Sequence, residues 1–101
     1  MEKVWEVRWT TMAADEFEST IDWLIENWNF EIAEKFSVDV WGRIQRLSKH
    51  PFTGRKSSSI KDCRQTVVLP YHILIYKIFE EHIEIIRVFD GRQNPSKLLQ
   101  P

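Results

Sequence analysis

The chain has 101 residues, 43% of them hydrophobic and 29% charged, with 3 Gly and 4 Pro; that balance excludes disordered, collagen-like and low-complexity classes, and the length predicts a single domain over residues 1–101. A lone Cys63 excludes an internal disulfide, and no Cys/His cluster has zinc-ligand spacing, so neither metal nor cofactor is expected. The formal charge is −1, but residues 1–49 carry 6 Lys+Arg against 10 Asp+Glu (−4) and residues 50–101 carry 8 against 5 (+3).

Lys3 to Trp9 alternates, with Trp5, Val7 and Trp9 on one face and Glu6 and Arg8 on the other, which predicts a half-buried strand. Thr10 and Thr11 are candidate N-caps, because a hydroxyl can accept from the unpaired amides of a first helical turn. Asp15 and Glu16 follow early in that helix, where negative charge suits the dipole. From Met12 to about Asn27, Ala13, Phe17, Ile21, Leu24, Ile25 and Trp28 recur at threes and fours and make one apolar stripe. Asn29 then caps a second helix whose stripe is Ile32, Ala33, Phe36, Val40, Ile44 and Leu47. The short separation predicts an antiparallel helical hairpin. Trp23 and Trp41 fall off both stripes and are expected to flank the hairpin seam or to mark a surface for a partner.

His50-Pro51-Phe52-Thr53-Gly54 ends the helical region, since Pro disfavours helix in the residue before it and Gly permits a turn. Lys56 to Lys61 is polar and serine-rich, a loop or weak edge strand. Around it Lys49, Arg55, Lys56, Lys61 and Arg64 are accompanied only by Asp62, a patch suited to phosphates or to an acidic protein segment. Three β segments follow, about Arg64–Leu69, Tyr71–Phe79 and His82–Phe89, the last two joined by a hairpin turn at Glu80-Glu81. Ile73, Leu74, Ile75 and Tyr76 make the middle segment apolar on both faces and therefore a central strand. Asp90-Gly91 and Asn94-Pro95 are turn chemistry. The longest apolar run, Val67 to Tyr76, is interrupted by Pro70 and His72, and the first residues hold no apolar stretch. Neither a membrane span nor a signal peptide is predicted, and a reducing cytoplasmic setting is expected. The predicted class is α+β, with order β-α-α-β-β-β and the helical hairpin laid on a small, mostly antiparallel sheet.

The pieces Val7-Arg8-Trp9-Thr10, Ala33-Glu34-Lys35-Phe36, Ile44-Gln45-Arg46-Leu47 running into Pro51-Phe52-Thr53-Gly54, Arg64, Tyr71 to Tyr76 and Ile83 to Pro95 stand in an order and spacing that resemble the RelE/ParE superfamily of bacterial toxins from type II toxin–antitoxin modules. The resemblance covers nearly the whole chain. It implies a growth inhibitor of the plasmid-stabilisation type, neutralised by a small cognate antitoxin that wraps its surface. Two branches of the family differ in chemistry. RelE-like members resemble ribosome-dependent endoribonucleases acting on messenger RNA; ParE-like members inhibit DNA gyrase by binding, with no reaction of their own.

Cleavage by 2′-hydroxyl attack needs proton transfer and positive charge at the phosphorane. For the ribonuclease branch the candidates are Arg64 and Arg92, converging on a phosphate, with Lys61 beside them and His72 or Tyr76 moving the proton. His72 and Tyr76 share a strand face, four residues apart. Beyond Arg92 the chain has no His, Tyr, Asp or Glu, and a near-neutral charge suits the inside of ribosomal RNA poorly, so the balance tips toward gyrase. A degenerate toxin that only binds antitoxin is the third reading. In every case the antitoxin is expected on the outer face of the hairpin, where Trp23 and Trp41 are expected to border a groove, and on a sheet edge.

Overall fold

The computed structural model describes residues 3–93. Its elements are β1 (Glu6–Trp9), α1 (Thr11–Asn27), α2 (Phe30–Lys49), a 3₁₀ turn (Pro51–Thr53), β2 (Arg55–Lys56), β3 (Arg64–Val68), β4 (His72–Ile78) and β5 (His82–Asp90). The five strands form one sheet in the order β1-β5-β4-β3-β2. β1 runs parallel to β5, with Val7 opposite Ile83 and Trp9 opposite Ile85, and the other neighbours are antiparallel. This is the predicted α+β arrangement, with β4 at the centre.

Both helices begin where the sequence supplies a cap. The Thr10 hydroxyl accepts from the Ala13 amide at 3.1 Å and also lies 3.1 Å from the Ile85 carbonyl and 3.2 Å from that of Ile86, so it ties the start of α1 to β5. Thr11, the alternative cap, is instead the first helical residue. Asn29 Oδ1 accepts from the Ile32 amide at 2.9 Å and starts α2.

The α2 stripe is buried as its spacing predicts, with Ala33, Phe36, Val40, Ile44 and Leu47 inside and Ile32 packed against them. The α1 stripe is shorter than its spacing predicts. Leu24 is buried, whereas Ile25 is 42% and Trp28 55% exposed. Successive helical residues point about 100° apart, so Leu24 and Ile25 cannot both face the core. Trp28 is the C-cap and has already left the helix.

The sheet is covered on both sides. Toward the helices Leu74, Tyr76, Ile83, Ile85 and Val88 join the main core; on the reverse face Cys63, Ile75 and Phe89 pack with Ile60, Ile73 and Ile86. Between β4 and β5 the register slips: Ile75 pairs with Arg87 but Tyr76 with Ile85, leaving Ile86 as the extra residue of a bulge.

Beside this bulge lies a charged tie between helix and sheet that reaches the core margin. Arg87 Nε and Nη2 fork onto the Glu16 carboxylate at 2.8–3.1 Å, and Glu16 Oε1 also accepts the Val88 amide at 3.0 Å. Glu16 therefore does not serve the helix dipole, and the first turn of α1 holds no acidic residue. Both side chains are largely covered, 13% and 24% exposed, so screening is weak and removing one partner strands the other. Glu16→Ala should cost about 2–3 kcal/mol in a denaturant titration, while Glu18→Ala on the exposed side of α1 should stay within about 0.5 kcal/mol. Equal midpoints for the two variants would show that the fork contributes nothing.

Candidate functional site

The turn after α2 is gripped from below by two side chains. The Tyr76 hydroxyl donates to the Pro51 carbonyl at 2.7 Å and accepts from the Gly54 amide at 3.0 Å. Arg64 Nη1 donates to the Gly54 carbonyl at 2.6 Å and lies 3.4 Å from that of Phe52, with its guanidinium 5.2 Å from the centre of the Phe52 ring. A side chain at position 54 would sit 2.8 Å from the Gln65 carbonyl and collide with Tyr76, so this approach requires glycine. Tyr76 is fully buried, and burial pushes its phenol above the usual tyrosine range. Its hydroxyl already has a donor and an acceptor for partners.

Arg64 also borders a concavity of about 320 Å³ lined by Lys56, Ser57, Lys61, Asp62 and Cys63. Cys63 itself is buried, and desolvation raises its thiol.

A second cluster occupies the other end of β4. His72 is 4% exposed and its ring sits between those of Phe36 and Tyr71, with centroids 5.0 and 4.9 Å away. Burial pushes its imidazole below the usual histidine range, with a smaller effect of Asp90 raising it and one of Arg92 lowering it further. Among the described residues, His72 Nδ1 and the Tyr71 hydroxyl are buried without a hydrogen-bond partner. Arg92 clasps Asp90 through Nε at 3.2 Å and Nη2 at 3.0 Å, and its backbone amide donates to the same carboxylate at 2.9 Å. Those contacts hold the Asp90 carboxyl below the usual carboxylate range. The Arg92 guanidinium stacks 3.6 Å from the Tyr71 ring centre, with Trp23 5.9 Å away. Ser19, Thr20, Trp23, His72, Asp90 and Gln93 line a polar concavity of about 190 Å³ here.

His72 and Tyr76 thus share one face of β4, as the alternation predicts, but that face is the one buried under the helices. The expected convergence of Arg64 and Arg92 is absent. Arg64 pairs with Tyr76, whereas Arg92 lies beyond Asp90, which pairs with His72. Four residues of β4 separate the two registers, roughly 13 Å along an extended strand. Lys61 stays with Arg64. Asp90 caps its own turn as predicted, while Asn94 and Pro95 lie outside the described residues.

Trp23 and Trp41 do not border one groove. Trp23 faces Arg92, and Trp41, 62% exposed, lines an apolar concavity of about 450 Å³ with Trp9, Phe17, Val38, Val40 and Ile44. In an antiparallel hairpin a late residue of α1 faces an early residue of α2, which sets Trp41 further down the pair. The residues that sequence reasoning missed are Glu16 and Arg87. A guanidinium within the otherwise apolar run Ile85–Phe89 is a signal that a buried partner must exist. Among the described residues no helix is long and apolar enough to cross a membrane.

The family model described as the ParE toxin of the type II toxin–antitoxin system, parDE, matches residues 7–95. Among solved structures the chain is similar to one titled as the chromosomal ParDE system from P. aeruginosa, with TM-score 0.74 at 19% identity over 87% of this chain and 97% of that one. It is also similar to a conserved hypothetical protein from Helicobacter pylori, with TM-score 0.59 at 12% identity over 88% and 97% of the two chains. At these identities the likeness is one of fold. No curated protein matches the chain.

The buried imidazole sets a pH dependence of stability. Because the folded pKa of His72 lies below its unfolded value, the unfolded chain takes up the proton first, and stability falls as pH drops through about 6.5. Asp90 adds a separate loss at lower pH, below about 4, because its folded pKa is depressed. Unfolding free energies measured from pH 7 to 5 should therefore decline in the native chain and flatten in His72→Phe. The same slope in both proteins would remove His72 as its source.

Proposed function

The chain belongs to the ParE toxin family of type II toxin–antitoxin systems, and from that premise we propose that it arrests growth by binding DNA gyrase, without a reaction of its own, until a cognate antitoxin covers it. The place of action is the cytoplasm, where gyrase works. One observation carries the choice of binding over catalysis. The two side chains suited to proton transfer, His72 and Tyr76, are buried under the helices, and the cations that would hold a phosphate, Arg64 and Arg92, lie at different ends of β4 and are engaged with carbonyls and with Asp90. RNA cleavage needs acid, base and cation around a single phosphate. The alternative, a ribosome-dependent endoribonuclease, draws its support from Lys61 and Arg64, which border one concavity.

Purified protein should block gyrase supercoiling of a relaxed plasmid while messenger on toxin-loaded ribosomes stays whole. Codon-positioned cuts that disappear in Arg64→Ala, with supercoiling untouched, would replace gyrase with the ribosome. Growth unaffected by induction would leave only the degenerate, antitoxin-binding reading.

The antitoxin is proposed to seat an apolar segment in the concavity beside Trp41. Val38 and Trp41, one helical turn apart on α2, are 65% and 62% exposed, and aromatic rings in apolar depressions are the usual anchors of protein interfaces. Trp23, partly covered by Arg92, is a second and weaker contact for a partner that wraps the surface. Trp41→Ala should weaken antitoxin binding by about tenfold or more, and Trp23→Ala by less, with unchanged circular dichroism for both. Undiminished affinity in Trp41→Ala would remove the concavity from the interface.

A further inference from the structure

One strongly charged surface lies outside the concavity assigned to the antitoxin. Lys49 closes α2, Arg55 and Lys56 make up the edge strand β2, Lys61 lies in the turn that follows, and Arg64 begins β3. Against these five cations stands Asp62 alone, a local balance of +4 on a chain whose total is −1. Among the described residues, Lys49, Arg55, Lys56 and Lys61 take part in none of the ion pairs. The sheet register sets Lys56 directly opposite Arg64. Like charges facing each other across strands repel, and at an exposed edge an arriving anion relieves the repulsion.

We infer that this edge binds the phosphodiester backbone of duplex DNA, so that the toxin holds gyrase and the DNA on which gyrase works at the same time. The place of the contact in the cell rests on the gyrase reading above; its chemistry does not. Phosphate contacts come from Lys, Arg and Ser side chains and need no deep pocket. Here Lys56, Ser57 and Lys61 line one concavity together with Asp62, Cys63 and Arg64, whose guanidinium stays on the Gly54 carbonyl. A folded protein partner would need an apolar anchor among these charges, since interface cores are apolar and poor in lysine. Between Arg55 and Asp62 no large hydrophobic side chain is exposed, and the exposed Phe52 nearby lies under Arg64. The concavity beside Trp41 shares no lining residue with the one at β2, so a DNA contact at β2 leaves it open.

Fluorescence anisotropy with a labelled 20-base-pair duplex of arbitrary sequence, in the absence of gyrase, tests the edge by itself. The expected Kd is roughly 10⁻⁴ to 10⁻⁶ M, and release of about four counterions should weaken binding about 100-fold between 50 and 200 mM salt. The double variant K56E/K61E, on exposed positions and checked for unchanged thermal unfolding, should lose the binding. No binding by the native chain at 50 mM salt, or full binding by K56E/K61E, overturns the inference. So does preference for a poly-glutamate peptide, which would make this a protein-binding edge, or for an RNA duplex over the DNA, which would assign it to the ribosome. A parallel supercoiling assay reports on gyrase separately: DNA binding with supercoiling unaffected would reject the gyrase reading and leave the DNA contact standing.

Discussion

Burial of β4 on both faces is the constraint to which the rest of this molecule answers. A chain of 101 residues encloses little interior, and here almost all of it is organised around one strand, with the helical hairpin on one side and Ile60, Cys63, Ile73, Ile75, Ile86 and Phe89 on the other. A polar group on such a strand must find its partners inside the protein. Tyr76 does so by gripping the turn after α2, and Arg64 reinforces the same turn from β3. His72 Nδ1 finds none among the described residues, and burial in an aromatic stack pushes the imidazole below the usual histidine range. Groups that would be chemically useful on a surface are thereby committed to holding helices, turn and sheet together.

With the interior occupied by architecture, function passes to the surface, and the surface is divided. The helical half is acidic overall and carries an apolar depression beside Trp41; the opposite edge is basic and, from Arg55 to Asp62, exposes no large hydrophobic side chain. These are two different recognition chemistries, one suited to an apolar anchor and the other to phosphates. A toxin that acts by contact, as proposed, needs surfaces more than it needs a reaction centre, and a small sheet with short edges supplies them. The Glu16–Arg87 fork, reinforced by the Val88 amide, fixes α1 on β5 and so sets the relative position of the two surfaces.

Most of the architecture was legible wherever information is local. Alternation located β1, side-chain oxygens at Thr10 and Asn29 located both helix starts, and the two-sided apolar run of β4 marked the sheet centre. What was hidden depends on partners far apart in the chain. Glu16 and Arg87 are 71 positions apart, so Glu16 reads as a dipole residue until the sheet exists. The bulge at Ile86 leaves no mark in the hydrophobic pattern. Ile25 fits a stripe by spacing, but rotation by a third of a turn from Leu24 sends it outward. For the site, alternation placed His72 and Tyr76 on one face correctly without showing which layer would cover it. Nothing in the spacing of Arg64 and Arg92 disclosed that strand pairing would set them at different ends of β4.

Occupancy and turnover leave different stoichiometric signatures. Titrating the purified toxin against fixed gyrase and ribosomes in one reaction, with supercoiling and messenger integrity read together, separates them directly. Inhibition by contact should rise in proportion to toxin per gyrase, level off at a fixed ratio, and reverse when antitoxin is added, with messenger intact throughout. Complete loss of messenger at toxin concentrations far below that of the ribosomes, with supercoiling unimpaired, would contradict this picture.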